Sequence, residues 1–144
     1  MACQSSNAEI KGHTVFARQW PASKAMAMQL KLLNVMGIDA IPFIEGKAEF
    51  KHILRLSQIP NKTTEEILEV IKEFIFCARM DGKEITPSTF DIEFSGDLML
   101  AYKIFGFVCE VQYKDFFAQG QETQEAKKSQ VENSSAKQST GEED

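Results

Sequence analysis

At 144 residues and a net charge of −5, the chain has room for one domain with length to spare. Its densest basic stretch, Lys47 to Arg55, is broken by Glu49 and apolar residues, which argues against nucleic acid, whose phosphates call for a Lys/Arg patch. The first residues lack the basic and apolar regions of a secretory signal, and no apolar run reaches the roughly 18 residues that span a bilayer. Cys3, Cys77 and Cys109 lie far apart without C-x-x-C spacing, so no disulfide framework is expected and the cytoplasm is the natural compartment.

Residues 1–8 are polar and read as a flexible N-terminus. From Glu9 to Gln19, Ile10, Val15 and Ala17 around Phe16 suit one or two short strands, with a turn near Lys11-Gly12. Trp20-Pro21 then opens a helix, since proline fits the first turn, and residues 22–36 are rich in Ala, Met, Leu, Gln and Lys. Ala25, Met28, Leu32 and Met36 form one stripe, widened by Met26, Leu30 and Leu33, and so wide a face predicts substantial burial. Gly37 is the expected stop.

A second helix is expected over Lys47 to Leu56 with Phe50, Ile53 and Leu54 turned inward. Pro60 breaks it. Thr63-Thr64-Glu65-Glu66 carries the spacing of a capping box, in which Thr63 accepts from an orphan N–H and Glu66 reaches back. The helix that follows keeps its period through Ile67, Ile71, Phe74, Ile75 and Ala78 to about Arg79. Asp81-Gly82 reads as a tight turn and Thr86-Pro87 as the start of a short helix through Phe94.

The last helix is expected from Leu98 to Phe117, with Leu98, Ala101, Phe105, Val108 and Val111 on one face. Beyond it the composition changes abruptly. Residues 118–144 hold no aromatic residue, one branched aliphatic (Val131) and a charge of −3, too little apolar surface to offset the entropy of ordering. The fold class is therefore mainly α: a small helical bundle over residues 9–117, with a short N-terminal β-strand or hairpin and a disordered acidic C-terminal tail over residues 118–144.

The inventory for catalysis and metals is thin. His13 and His52 have neither a Cys nor a second His at helical ligand spacing, so no zinc set forms. A calcium loop placed with Gly82 at its sixth position would put Cys77 and Arg79 at the first and third ligands and Ser88 at the twelfth, where carboxylates are needed. No base stands near a candidate nucleophile and no glycine-rich phosphate loop occurs. Neither an enzyme nor a cofactor is indicated.

What stands out is apolar surplus. The chain has eleven Phe against two Tyr and one Trp, and rings without a polar handle belong in a core or under a partner. On the last helix Met99, Tyr102, Ile104, Phe107 and Phe116 broaden the apolar face beyond one core contact. That helix can be central core, with an adjacent strip that docks a partner's helix.

The series Phe90-Asp91-x-x-Phe94-x-Gly96-Asp97-Leu98, then Tyr102-Lys103, Phe107-Val108-x-Glu110-Val111 and Asp115-Phe116-Phe117 resembles the C-terminal half of the tail assembly chaperones of long-tailed bacteriophages. Trp20-Pro21-Ala22 before a Met/Leu-rich helix, a central acidic helix and Arg79-x-Asp81-Gly82-Lys83 extend the resemblance over roughly residues 9–117. It departs at Gln112-Tyr113, where Asn followed by an aromatic is expected, and at the long tail.

The resemblance implies a protein of the host cytoplasm, absent from the virion, that keeps the tape measure protein soluble and helps recruit tail tube subunits. It also implies a longer frameshifted form of the same chain. Phe107, Phe116 and Phe117 are the residues expected to touch the partner, with no nucleic acid and no membrane involved. The alternative reading is a generic helical protein-interaction adaptor or regulator unrelated to tails.

Overall fold

Ser5–Ile10 (β1) and His13–Arg18 (β2) pair antiparallel, with Ile10 opposite His13 and Ser5 opposite Arg18. Lys11 and Gly12 join them with positive φ, 50° and 84°, the backbone that lets a two-residue turn follow the strands' right-handed twist. The structure is a computed structural model that describes the backbone of residues 3–143 and the side chains of residues 3–121. It divides into two units, Met1–Lys114 and Asp115–Asp144.

The sheet is larger than the expected hairpin. Arg79–Met80 (β3) and Lys83–Glu84 (β4) extend it to four strands in the order β1-β2-β3-β4. Two corrections follow: β1 begins at Ser5 rather than Glu9, and Arg79 is a strand residue, not the end of a helix. The pairing of Val15 with Met80 and Phe16 with Arg79 is secured by Asp81. Its carboxylate accepts from the Thr14 N–H at 3.0 Å and meets His13 Nδ1 at 2.7 Å, while its own N–H donates to Thr14 O at 2.8 Å. Val15, Ala17 and Met80 face the core.

Ala22–Met36 (α1) matches the expected helix, and the Gly37 N–H closes it on Leu33 O. Met28, Leu32, Val35 and Met36 are buried, but Met26 and Leu30 are exposed, so the buried face is narrower than the composition suggested. A 3₁₀ turn, Gly37–Ala40, leads into Ile41–Ile44 (α2). By length and hydropathy Ala22–Ile44 could cross a membrane, which a search for unbroken apolar runs misses. Here it bends at Gly37, and Leu32, Met36, Ala40, Phe43 and Ile44 pack inside.

Phe50–Arg55 (α3) and a 3₁₀ turn, Leu56–Gln58, come next. Thr64–Ile75 (α4) starts on the predicted capping box: Glu66 N–H donates to Thr63 Oγ1 at 3.1 Å and Thr63 N–H to Glu66 Oε2 at 3.0 Å. Pro87–Phe94 (α5) starts at Thr86, as expected. The last helix, α6, runs in backbone from Leu98 to Glu143, and Asp97 caps it by accepting from the Leu100 N–H at 3.2 Å. The expected disordered tail, residues 118–144, falls for the most part outside the residues whose side chains are described.

Phe74 of α4 is the hub of the core. Its ring meets Trp20 at 5.2 Å, Phe105 at 5.8 Å and Tyr113 at 6.1 Å, all edge-on, and Phe105 in turn meets Phe43 at 5.1 Å. Such edge contacts add about 0.5–1.5 kcal/mol each beyond buried area. Ile104, Phe105, Val108 and Cys109 are wholly buried, so α6 is the central core helix.

Candidate functional site

The face of α6 left uncovered by the core carries Met99, Tyr102 and Phe107, all half-buried. Two clefts open over it, one on each side of α3. The first, of about 510 Å³, lies between the end of β1 (Ala8 to Lys11), Phe43 and the Met99–Glu110 stretch of α6. The second, of about 640 Å³, lies between α3, α4 and the start of α6, with Ile67, Leu68 and Ile71 on its far wall. Phe50, Ile53, Met99 and Tyr102 line both, so the clefts are two halves of one apolar trough divided by α3.

α3 was expected to turn Phe50, Ile53 and Leu54 inward. It does not. None of its six residues is buried, and Phe50 and Leu54 are 62% and 51% exposed. Around the second cleft Leu68 and Leu98 are 42% and 68% exposed as well. Exposed apolar residues gathered on one concavity mark a place where apolar surface is meant to be covered, whereas scattered ones carry no such meaning.

The close approach of Phe43 to α6 shapes the first cleft. Gly106 stands in mid-helix, and a methyl placed there would lie 3.4 Å from the Phe43 ring. Charges sit at the rim and are mixed in sign. Lys11 Nζ reaches Asp97 at 2.6 Å, Glu9 Oε1 accepts from Thr14 Oγ1 at 2.6 Å, and Glu110 faces Lys114 at 3.4 Å. An apolar floor with a mixed rim suits an amphipathic segment better than a polyanion.

Among the described residues no cluster of three or more His, Cys, Asp or Glu could hold a metal ion. Burial pushes the Cys77 and Cys109 thiols up from their ordinary range, Cys109 well up, which keeps them as protonated apolar side chains.

Of the residues singled out in the sequence, Phe107 lies in the first cleft. Phe116 and Phe117 lie in the second unit and stack edge-to-face at 5.4 Å, with Phe116 58% exposed. Phe50, Leu54 and Leu68 were missed as surface residues, because helical spacing shows that residues share a face and not whether anything covers it. Gln112 and Tyr113, the point of departure from the expected pattern, lie at the junction of β2 and α1. Gln112 Nε2 donates to Arg18 O at 2.9 Å, its Oε1 accepts from the Trp20 N–H at 3.0 Å, and Tyr113 Oη donates to Ala25 O at 2.8 Å.

The fold and this surface define a mainly helical domain with a small antiparallel sheet and an open apolar trough. The family model for phage tail assembly chaperone proteins matches residues 11–125, and the chain belongs to that family. Comparison with curated proteins and with solved structures finds no match.

Proposed function

We propose that this chaperone holds the tape measure protein of its phage in solution until tail tube subunits enclose it. The observation that carries the reading is the trough over α6, where Phe50, Leu54, Leu68 and Leu98 stand exposed around an apolar floor in a chain of this family. A tape measure is a long helical protein with apolar stripes, which need shielding before the tube forms. A concave apolar surface buries such stripes reversibly and needs no nucleotide, because arriving tube subunits compete for the same stripes. On this reading the protein acts in the host cytoplasm and is left out of the virion. Phe107, Phe116 and Phe117 contribute to the contact, and the polar, acidic segment over residues 118–144 keeps the complex hydrated and mutually repelled. A longer frameshifted form of the chain adds a second domain that recruits tube subunits; a gene lacking any slippery heptamer would remove that part.

The test is co-expression with the longest reading frame directly downstream of the gene, scoring how much of the long protein stays soluble and co-purifies. A soluble complex that disappears when this chain is omitted supports the reading. Aggregation whether or not the chain is present, in its short or its longer form, overturns it. Substituting Met99→Lys and Tyr102→Ser should abolish recovery of the complex while helix content is unchanged. Phe116→Ser with Phe117→Ser tests the contribution of the second unit in the same assay.

A further inference from the structure

The two edges of the sheet are built differently. β4 is two residues long, Lys83–Glu84, both charged and exposed, which is one way a fold keeps an edge from pairing with other chains. β1 is six residues long and holds no Lys, no Pro and no bulge, since Ser5 to Ile10 pair with β2 one for one. The phase of its ladder is fixed at both ends. Gln19 N–H donates to Gln4 O at 2.8 Å, so Gln4 bonds toward β2. Thr14, opposite Glu9, instead turns its N–H and its C=O to Asp81 on the far side. Residues of an antiparallel pair alternate between bonding each other and facing away. Ser5, Asn7 and Glu9 therefore present N–H and C=O to the open edge, and all three residues are exposed.

That edge runs into the first cleft, which is bounded by Ala8 to Lys11, by the chain between Gly46 and Phe50 and by α6 from Met99 to Glu110. Met99 and Phe107 make the α6 side apolar. Gly106 leaves a gap in it, where a methyl would touch only the Phe43 ring. An open strand edge beside an apolar cleft selects the form of its guest. A helix spends its backbone N–H groups internally and has no row of them to offer an edge. An extended segment has such a row and sends every second side chain to one side. We infer that β1 takes up an extended segment of a partner as a further strand, which pairs with Ser5, Asn7 and Glu9 and turns alternate apolar side chains onto Met99 and Phe107. Charge narrows the guest further. Lys11 is held by Asp97 at 2.6 Å, but Lys103, exposed on the same cleft, has no ion pair among the described residues. The segment therefore carries an Asp or Glu beside Lys103. This deepens the chaperone reading, on which it rests for the identity of the partner: at this cleft the client is held as extended chain, before its own helices form.

The test uses a fluorescent peptide of Thr and Val in strict alternation ending in Asp, and an isomer of the same composition with its valines at i, i+3 and i+4. The whole protein should bind the alternating peptide at least about tenfold more tightly than the isomer. Equal affinity for the two, or no binding of the alternating peptide up to about 1 mM, overturns the inference. Asn7→Pro removes an outward N–H and leaves the bonds to β2 in place, so it should weaken binding about tenfold. Lys103→Glu, a surface change, should weaken it about twofold or more. Unchanged affinity in both variants refutes pairing at this edge. Amide exchange of the parent needs no variant. With the alternating peptide bound, the amides of Ser5, Asn7 and Glu9 should slow while those of Ser6, Ala8 and Ile10 stay as they were, and an unaltered pattern refutes strand addition. Neither peptide comes from the tape measure protein. Failure here with a tape measure complex recovered rejects only the extended guest, and peptide binding without that complex rejects only the chaperone reading.

Discussion

The phenol of Tyr113 on α6 donates to the backbone carbonyl of Ala25 on α1 across 2.8 Å, at a position only 3% exposed. Beside it Gln112 satisfies both the Arg18 carbonyl and the Trp20 N–H. Two consecutive side chains of α6 thus fasten the β2–α1 junction, where the chain turns from sheet to helix. Gln112→Ala should cost about 1–3 kcal/mol, since it leaves the part-buried Trp20 N–H without its acceptor, while the exposed Arg18 carbonyl keeps the Cys77 thiol at 3.4 Å. Tyr113→Phe should cost less, about 0.5–1.5 kcal/mol, because the Ala25 carbonyl keeps its place within α1. Urea unfolding of the two variants checks the order, and a larger loss for Tyr113→Phe would contradict it.

Burial pushes the Tyr113 phenol far above its usual range, and the nearby Cys109 and Cys77 thiols add to the shift in the same direction. A raised pKa in the folded state means that the stabilisation is complete below the ordinary phenol value of about 10 and is lost as pH rises beyond it. In a Tyr102→Phe background, ultraviolet absorbance should report phenolate only together with loss of helical circular dichroism. Ionisation at the ordinary value with the fold intact would show that the ring is accessible.

Two carboxylates set the response to acid. The His13 bond, with help from the Thr14 N–H, holds Asp81 below the usual carboxyl range, and Lys11 does the same for Asp97. Depressed carboxyl pKa values contribute stability that is present above the unfolded value, about 3.9, and is lost as pH falls through the folded one. Asp97→Asn keeps an acceptor for the Leu100 N–H but loses the Lys11 charge. Its melting temperature should lie below the parent's at neutral pH and converge with it in acid. Asp97→Ala, which loses the cap too, should melt lower than Asp97→Asn. A gap between parent and Asp97→Asn that persists in strong acid would mean that ionisation is not the cause.

Gly106 separates stability from cleft shape. A methyl there meets Phe43 at 3.4 Å, an ordinary contact, and alanine in place of glycine inside a helix is worth about 0.5–1 kcal/mol. Gly106→Ala should therefore raise the melting temperature slightly. It also narrows the first cleft, so recovery of the tape measure complex should fall. A variant that is both more stable and fully active would show that the first cleft stays empty in the complex.

Much of the helical scaffold is legible in the sequence because its signals are local. Thr63 and Glu66 lie three residues apart and close their two hydrogen bonds without help from the rest of the chain. Lys11-Gly12, Asp81-Gly82 and Pro87 mark turns and starts by their own backbone preferences. Phe107 and the surplus around Met99 and Tyr102 could be read from the width of the α6 face, and they do lie along the trough. By contrast β3 is two residues long and exists through pairing with β2, more than sixty positions away, so no periodicity announces it.

The sequence by itself settled that α6 is apolar on more sides than one contact can use, that α4 begins on a capping box and that the chain resembles a tail assembly chaperone. Only the tertiary structure decided that Phe50 and Leu54 stand in the open while Ile104 and Phe105, with the same kind of side chain, are sealed. The reason is physical. Helical spacing is a property of one segment, but burial is a relation between segments. It is the packing of Phe43 and Phe74 against Phe105 and Tyr113 on one side of α6 that leaves its other side for the trough.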